Sequence, residues 1–117
     1  MLSSVYEGKP WLEQYAEYVP GELPLPEKSM IDLFEDSAKR APNVDAVRYF
    51  DETISFSELD ELANRFAKAL ADRGMEKGDR VAVYLQNNPQ FLVALYGAWK
   101  RGAVVVPLNP MFKAREL

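Results

Sequence analysis

Between Gly78 and Pro110 the chain places two nearly unbroken apolar runs, RVAVYL and AVVVPL, on either side of a stretch of helical length, with hardly a residue to spare. Runs that are apolar throughout, rather than alternating, are what strands covered on both faces of a parallel sheet require. Asn88 is suited to cap a helix whose first position is Pro89, where a missing N–H costs nothing. Gly102 ends that helix. Phe91 to Trp99 is apolar almost all round, which predicts burial. Two such strands joined by one helix should lie parallel with a right-handed crossover. The fold class is therefore α/β: a partial parallel sheet with flanking helices, preceded by a short β-hairpin.

Upstream, two further helices are legible. Ser29 and Asp32 make a capping box ahead of the apolar set Met30, Leu33, Phe34, Ala38 and Ala41, and Pro42 stops the run. Ser57 and Asp60 offer a second box. Behind it Leu59, Leu62, Ala63, Phe66, Ala67 and Leu70 recur at helical spacing, while Asp60, Glu61, Asn64, Arg65, Lys68 and Asp72 form a solvated face; Gly74 closes the helix. Between these helices DAVRYF and TISF read as two strands joined at Asp51-Glu52. Residues 1–28, broken by Pro10, Pro20, Pro24 and Pro26, form an arm. Within it WLEQYAEYV can make about two helical turns, and its aromatics are expected to pack onto the body. At the other end MFKAREL reads as the first turns of a helix with no stop signal, so the chain reads as cut short. Two parallel strands and one helix also leave an edge and a face in need of partners, which predicts self-association of the isolated chain.

Composition removes several kinds of chemistry. With neither cysteine nor histidine among 117 residues, disulfides, thiolate or imidazole metal sites, and Ser-His-Asp or Cys-His catalysis are excluded within this sequence. Eighteen acidic against fourteen basic side chains give a net charge of -4, so nucleic acid is not an expected partner. Charge is uneven, with thirteen acidic and five basic residues up to position 60 and five and nine thereafter. That mild basicity reads as solvated helix faces. The start, MLSSVYEGKPWLEQY, lacks a basic-then-apolar leader, and no run approaches the roughly 18 apolar residues of a membrane span. A cytoplasmic location is the expectation, and peripheral contact with a membrane is compatible with it.

No motif here completes a reactive site. Gly74 and Gly78 precede a strand, whereas a phosphate cradle follows one and opens a helix. Gly97 and Gly102 have Walker-loop spacing, but Ala103-Val104 stand where Lys-Ser or Lys-Thr is needed, and a helix C-terminus repels phosphate. Gln86 to Pro89 lies where open α/β sheets bind ligands, yet a helix cap accounts for the same residues; Leu108 to Pro110 reads as a turn. Asp51-Glu52 and Asp60-Glu61 do not converge on anything. Catalytic, cofactor-binding and metal-ligating residues are assigned to none of these positions.

The order TISFSELDELANRFAKAL, then GMEKGDRVAVYLQNNPQFLVALYGAWKRGAVVVPLNPMFKAREL, resembles the N-terminal part of the adenylate-forming (AMP-binding) superfamily of acyl-CoA synthetases, luciferases and peptide-synthetase adenylation domains. The resemblance runs from about Ser29 to Leu117. Upstream, WLEQYAEYVPGELPLPEKSMIDLFEDSAKR is most similar to long-chain fatty-acid–CoA ligases, on Trp11, Tyr15, Pro20 and the Leu33-Phe34 helix. It implies an arm over residues 1–28 and a truncated large domain over 29–117. It also implies a parent enzyme that uses ATP, Mg²⁺ and coenzyme A to convert a fatty acid, through an acyl-adenylate with release of pyrophosphate, into a thioester. The superfamily's Ser/Thr/Gly-rich phosphate loop, Tyr-Gly-x-Thr-Glu stretch, ribose-binding Asp and catalytic Lys would all lie beyond Leu117. On that reading the 117 residues alone are inactive and bind no cofactor. The alternatives are an aryl- or amino-acid-adenylating enzyme of the same superfamily, or a freestanding α/β interaction or nucleotide-binding module.

Overall fold

A computed structural model describes residues 7–117. Three α-helices and four short strands follow a 3-10 turn at Pro10–Gln14. They are α1 (Met30–Arg40), β1 (Asp45–Tyr49), β2 (Glu52–Ser55), α2 (Phe56–Asp72), β3 (Arg80–Val83), α3 (Pro89–Lys100) and β4 (Val104–Pro107). β1 and β2 form an antiparallel hairpin, and β3 and β4 a parallel pair in the register Arg80↔Val104 to Val83↔Pro107. The predicted α/β class, with a hairpin ahead of a parallel pair and flanking helices, is what the chain adopts.

Local chemistry sets the element ends. Ser29 accepts from the Asp32 N–H while Asp32 accepts from the Ser29 N–H, so both boxed donors at the start of α1 are satisfied. The box that starts α2 is Ser55 with Glu58, not Ser57 with Asp60. Two overlapping boxes compete in SFSELD, and hairpin pairing carries the chain in extended form only as far as Ser55, so the helix opens at Phe56. Asp60 is thereby released for a different task. The hairpin turn falls at Phe50-Asp51, one residue earlier than expected, with Phe50 in the left-handed region at φ 52°.

The core lies where α2 and α3 cross. Leu59, Ala63, Ala67, Ala94 and Ala98 are buried there, and the small side chains let the backbones approach. Gly97 sets the distance of closest approach: a Cβ on it would lie 2.8 Å from the Ala63 carbonyl oxygen and 2.8 Å from Phe66 Cδ1. Phe34 joins α1 to this pair by stacking on Tyr96, with ring centroids 3.9 Å apart. Trp99 meets Tyr96 edge-on, and Trp99 and Phe91 are half-buried.

Three expectations are corrected. β3 and β4 are not covered on both faces: Val83 is buried, but Ala82, Tyr84 and Val104 are exposed. α3 packs against one side of the pair, and among the described residues nothing covers the other. MFKAREL forms turns rather than a regular helix: the Phe112 N–H donates to the Asn109 carbonyl and the Glu116 N–H to the Lys113 carbonyl, and the Glu116 carboxylate accepts from the Lys113 N–H. The aromatics of the arm are not buried. In its described part, residues 7–28, Tyr18, Leu23 and Leu25 are largely exposed, Trp11 and Tyr15 are 40% and 45% exposed, and Leu12 lies against Gly21; residues 1–6 of the predicted arm lie outside the described residues. The radius of gyration, 19.3 Å, accordingly exceeds the roughly 13 Å of a closely packed chain of this length.

Candidate functional site

The carboxyl end of β3 is where an open α/β sheet would take a ligand, so the chemistry of Gln86 to Pro89 decides whether one can sit there. Asn88 Oδ1 accepts from the Phe91 N–H at 3.1 Å, and the Asn88 carbonyl accepts from the same donor at 3.0 Å. The N-terminus of α3 is thus occupied by its own cap, as the sequence predicts, and Pro89 removes a further donor. Beside it, a hollow of about 310 Å³ is shared with the hairpin residues Val47, Arg48 and Tyr49. Its one cation, Arg48, is engaged by Asp45 at 2.9 Å. Leu108 to Pro110 forms a turn in which Asn109 Oδ1 accepts from the Met111 N–H.

Neither glycine pair makes a phosphate loop. Gly74 and Gly78, at φ 80° and 94°, shape the turn into β3, where the Gly78 N–H donates to the Gly102 carbonyl. Gly97 lies inside α3 against α2, and Gly102 ends α3 at φ 70°.

Sequence reasoning missed Lys100. Its side chain, 10% exposed, reaches from the last turn of α3 to Glu35 Oε1 of α1 at 2.7 Å and Asp60 Oδ1 of α2 at 2.9 Å. Glu35 accepts a hydrogen bond from the ammonium. Asp60 is the second carboxylate held against the same ammonium. Burial pulls the Lys100 pKa down, and the two carboxylates more than offset this, leaving it raised. An ammonium held protonated in this way is no nucleophile or base; it ties three helices together. A polar hollow of about 400 Å³ adjoins it, floored by Ser57 and Asn64. Nothing local marks Lys100 in the sequence, since its partners are 65 and 40 positions away.

A further concavity, about 560 Å³, is apolar. The unbroken run Val81 to Leu85 forms one wall, and Ile54, Leu62, Phe66 and Val93 face it. No group of three or more His, Cys, Asp or Glu side chains that could hold a metal occurs among the described residues. Neither Mg²⁺ nor the phosphates of a nucleotide fit the donors present: the one helix N-terminus in the right place is self-capped, and the buried lysine is neutralised. Apart from these donors the chain presents an open apolar groove. No helix among the described residues is long and apolar enough to cross a membrane.

The chain is similar to known proteins over most of its length. The profile of the AMP-binding enzyme family matches residues 34–117. The long-chain-fatty-acid–CoA ligase of Bacillus subtilis (strain 168) is 39% identical over 109 residues, which is 93% of this chain and 20% of that protein. A plipastatin synthase polypeptide of the same organism is 35% identical over 96 residues, or 82% of this chain and 4% of that one. Among solved structures, the Klebsiella oxytoca NpsA N-terminal subdomain in complex with 3-hydroxybenzoyl-AMSN superposes with a TM-score of 0.72 at 30% identity, covering 75% of this chain and 22% of its own. VinN superposes with a TM-score of 0.71 at 38% identity, covering 74% and 23%. The chain thus spans about a fifth of the length of the ligases it matches. The family match over residues 34–117, together with these relatives of the same fold, places the chain in the AMP-binding enzyme family.

Proposed function

We propose that these residues serve as the N-terminal framework of an ATP-dependent long-chain fatty-acid–CoA ligase, in which a carboxylate and ATP give an acyl-adenylate and pyrophosphate and coenzyme A then displaces AMP. The observation that carries this reading is the extent of the likeness. Long-chain ligases align over 109 to 111 residues and peptide synthetases over 96 to 98. The longer likeness to the ligases supports the ligase reading.

Within such an enzyme, this segment supplies no catalytic, nucleotide-binding or metal-binding side chain. Its work is to hold the carboxyl ends of β3 and β4 in place against α3. ATP, Mg²⁺, coenzyme A and the acyl chain are handled by other parts of the polypeptide. A second reading, an aryl- or amino-acid-adenylating enzyme, is favoured by the 40% identity to VinN in its complexes with 3-methylaspartate and L-aspartate.

ATP–pyrophosphate exchange separates the two. The enzyme carrying these residues should exchange label in the presence of palmitate and not with aspartate or benzoate, and the 117-residue chain alone should exchange with none of them. Exchange driven by an amino or aryl acid and not by palmitate would transfer the assignment to the second reading. Exchange by the short chain itself would overturn the framework role.

A further inference from the structure

Where the parallel pair ends, one tie is made that the ladder does not supply. The last backbone bond between the two strands runs from the Leu108 N–H to the Val83 carbonyl at 2.9 Å. The residue after Val83, Tyr84, then sends its side chain across to the segment leaving β4. Its hydroxyl lies 2.9 Å from the Pro110 carbonyl oxygen and 2.6 Å from that of Phe112, so the single phenolic hydrogen is shared between two acceptors.

That segment has little else to hold it. Asn109 Oδ1 accepts from the Met111 N–H and the Asn109 carbonyl from the Phe112 N–H, while Lys113 and Glu116 bond to each other. All of these bonds are local. Among the described residues, the Tyr84 hydroxyl is therefore the one hydrogen-bonding group that fastens residues 109–117 to the rest of the chain. Burial does not replace it, since Met111 is 77% and Leu117 63% exposed. Pro110 has no N–H, and the donors of Met111 and Phe112 are already taken, so the turn is closed on itself and tied down from Tyr84 alone.

The tie sits at the carboxyl end of the pair, the edge at which open α/β sheets carry their ligands. From this geometry we infer that Tyr84 is a positioning residue for the adenylate-forming reaction: its hydroxyl pins the chain leaving β4 across the end of β3, and so fixes the rim against which the substrate-handling parts of the enzyme are set. It is not a catalytic group, because its one donor hydrogen is spent on backbone carbonyls. The inference rests on the proposed framework role and names the side chain through which that role is exercised.

Loss of the pin has a kinetic signature. An unpinned rim samples several placements, and substrate binding must select the competent one; apparent affinity falls with the competent fraction, while turnover at saturation is preserved. A residue needed only for folding does the reverse. It lowers the amount of active enzyme, and hence Vmax, at unchanged KM.

The test is Tyr84→Phe, which removes the hydroxyl oxygen and leaves the ring in place. In the 117-residue chain, the amides of Met111 and Phe112 should exchange faster by about three- to tenfold, the factor carried by one ordinary hydrogen bond. Those of Val104 and Leu108, bonded to the Asp79 and Val83 carbonyls, should not change. In ATP–pyrophosphate exchange by the enzyme carrying these residues, KM for the carboxylic acid should rise by about two- to tenfold at unchanged Vmax. Gly97→Ala, which strains the helix crossing and keeps the Tyr84 tie, should leave KM at the parental value. Parental amide exchange at Met111 and Phe112, a parental KM in Tyr84→Phe, a Vmax that falls at unchanged KM, or an equal rise of KM in Gly97→Ala would overturn the inference. The comparison uses whichever acid drives exchange. Exchange driven by aspartate or benzoate, with the same rise in KM, would count against the ligase reading alone, and exchange driven by palmitate with no rise would count against Tyr84 alone.

Discussion

Substituting Gly97 by alanine tests how closely α2 and α3 approach, and the structure sets two opposed contributions. In an isolated helix alanine is favoured over glycine by about 0.8–1.0 kcal/mol. Against this, the new Cβ would meet the Ala63 carbonyl oxygen at 2.8 Å and Phe66 Cδ1 at 2.8 Å. Restoring ordinary contact near 3.4 Å requires the helices to part by about 0.6 Å at their tightest point. Overpacking of that kind costs about 1–3 kcal/mol, and it would loosen Leu59, Ala63 and Ala98, which are packed at the same crossing. Two contacts at once, one of them to backbone, put the cost in the upper part of that range, about 2–3 kcal/mol; subtracting the propensity gain leaves a net loss of about 1–2 kcal/mol, a fall in melting temperature of roughly 5–10 °C for a chain of this size. Urea and thermal unfolding followed at 222 nm measure it. Phe66→Leu should relieve the ring contact but not the carbonyl contact, so most of the cost should persist in the double variant. A Gly97→Ala variant as stable as the parent, or more stable by the propensity difference, would refute the close approach.

Lys100→Met should destabilise by about 1–2 kcal/mol, because Glu35 and Asp60 are left facing each other yet remain about a third exposed and partly screened. Adding Glu35→Gln and Asp60→Asn should recover most of that loss in the same unfolding assay. Because the folded Lys100 pKa is raised, its contribution is complete below the ordinary lysine value and is lost as pH rises through the higher folded value. The parent should therefore lose stability at strongly alkaline pH in a way Lys100→Met does not. At the acid end the sign reverses. The Ser29 hydroxyl and backbone N–H hold Asp32 low, and the Ser55 backbone N–H and hydroxyl do the same for Glu58. Stability from both capping boxes is present above the usual carboxylate range and should fall as pH drops through their lowered values. In a melting-temperature profile against pH, Asp32→Asn and Glu58→Gln should flatten that limb.

Most of the framework was legible because it is encoded locally. Asn88 with Pro89, the glycines at 74 and 102, and the two apolar runs mark their own roles within a few residues. The register of the α2 box was not, because Ser55-Glu58 and Ser57-Asp60 satisfy the same local rule and only hairpin pairing chooses between them. Cover on both faces of β3 and β4 was read from apolarity alone. Apolarity reports that cover is wanted and says nothing of which polypeptide provides it, and the same holds for the aromatic arm. Lys100 carries no local mark, and Gly97 read as half of a failed Walker spacing. Their roles depend on helices meeting at a distance, which no local pattern encodes.

The account rests on this unit being framework that does not grip phosphate by itself. Titrating Mg·ATP into the isotope-labelled 117-residue chain and following the amide signals of Gln86, Asn87, Asn88 and Gln90 tests that directly. No saturable shift is predicted up to about 1 mM. Saturable shifts centred on those four amides, with micromolar affinity, would contradict it.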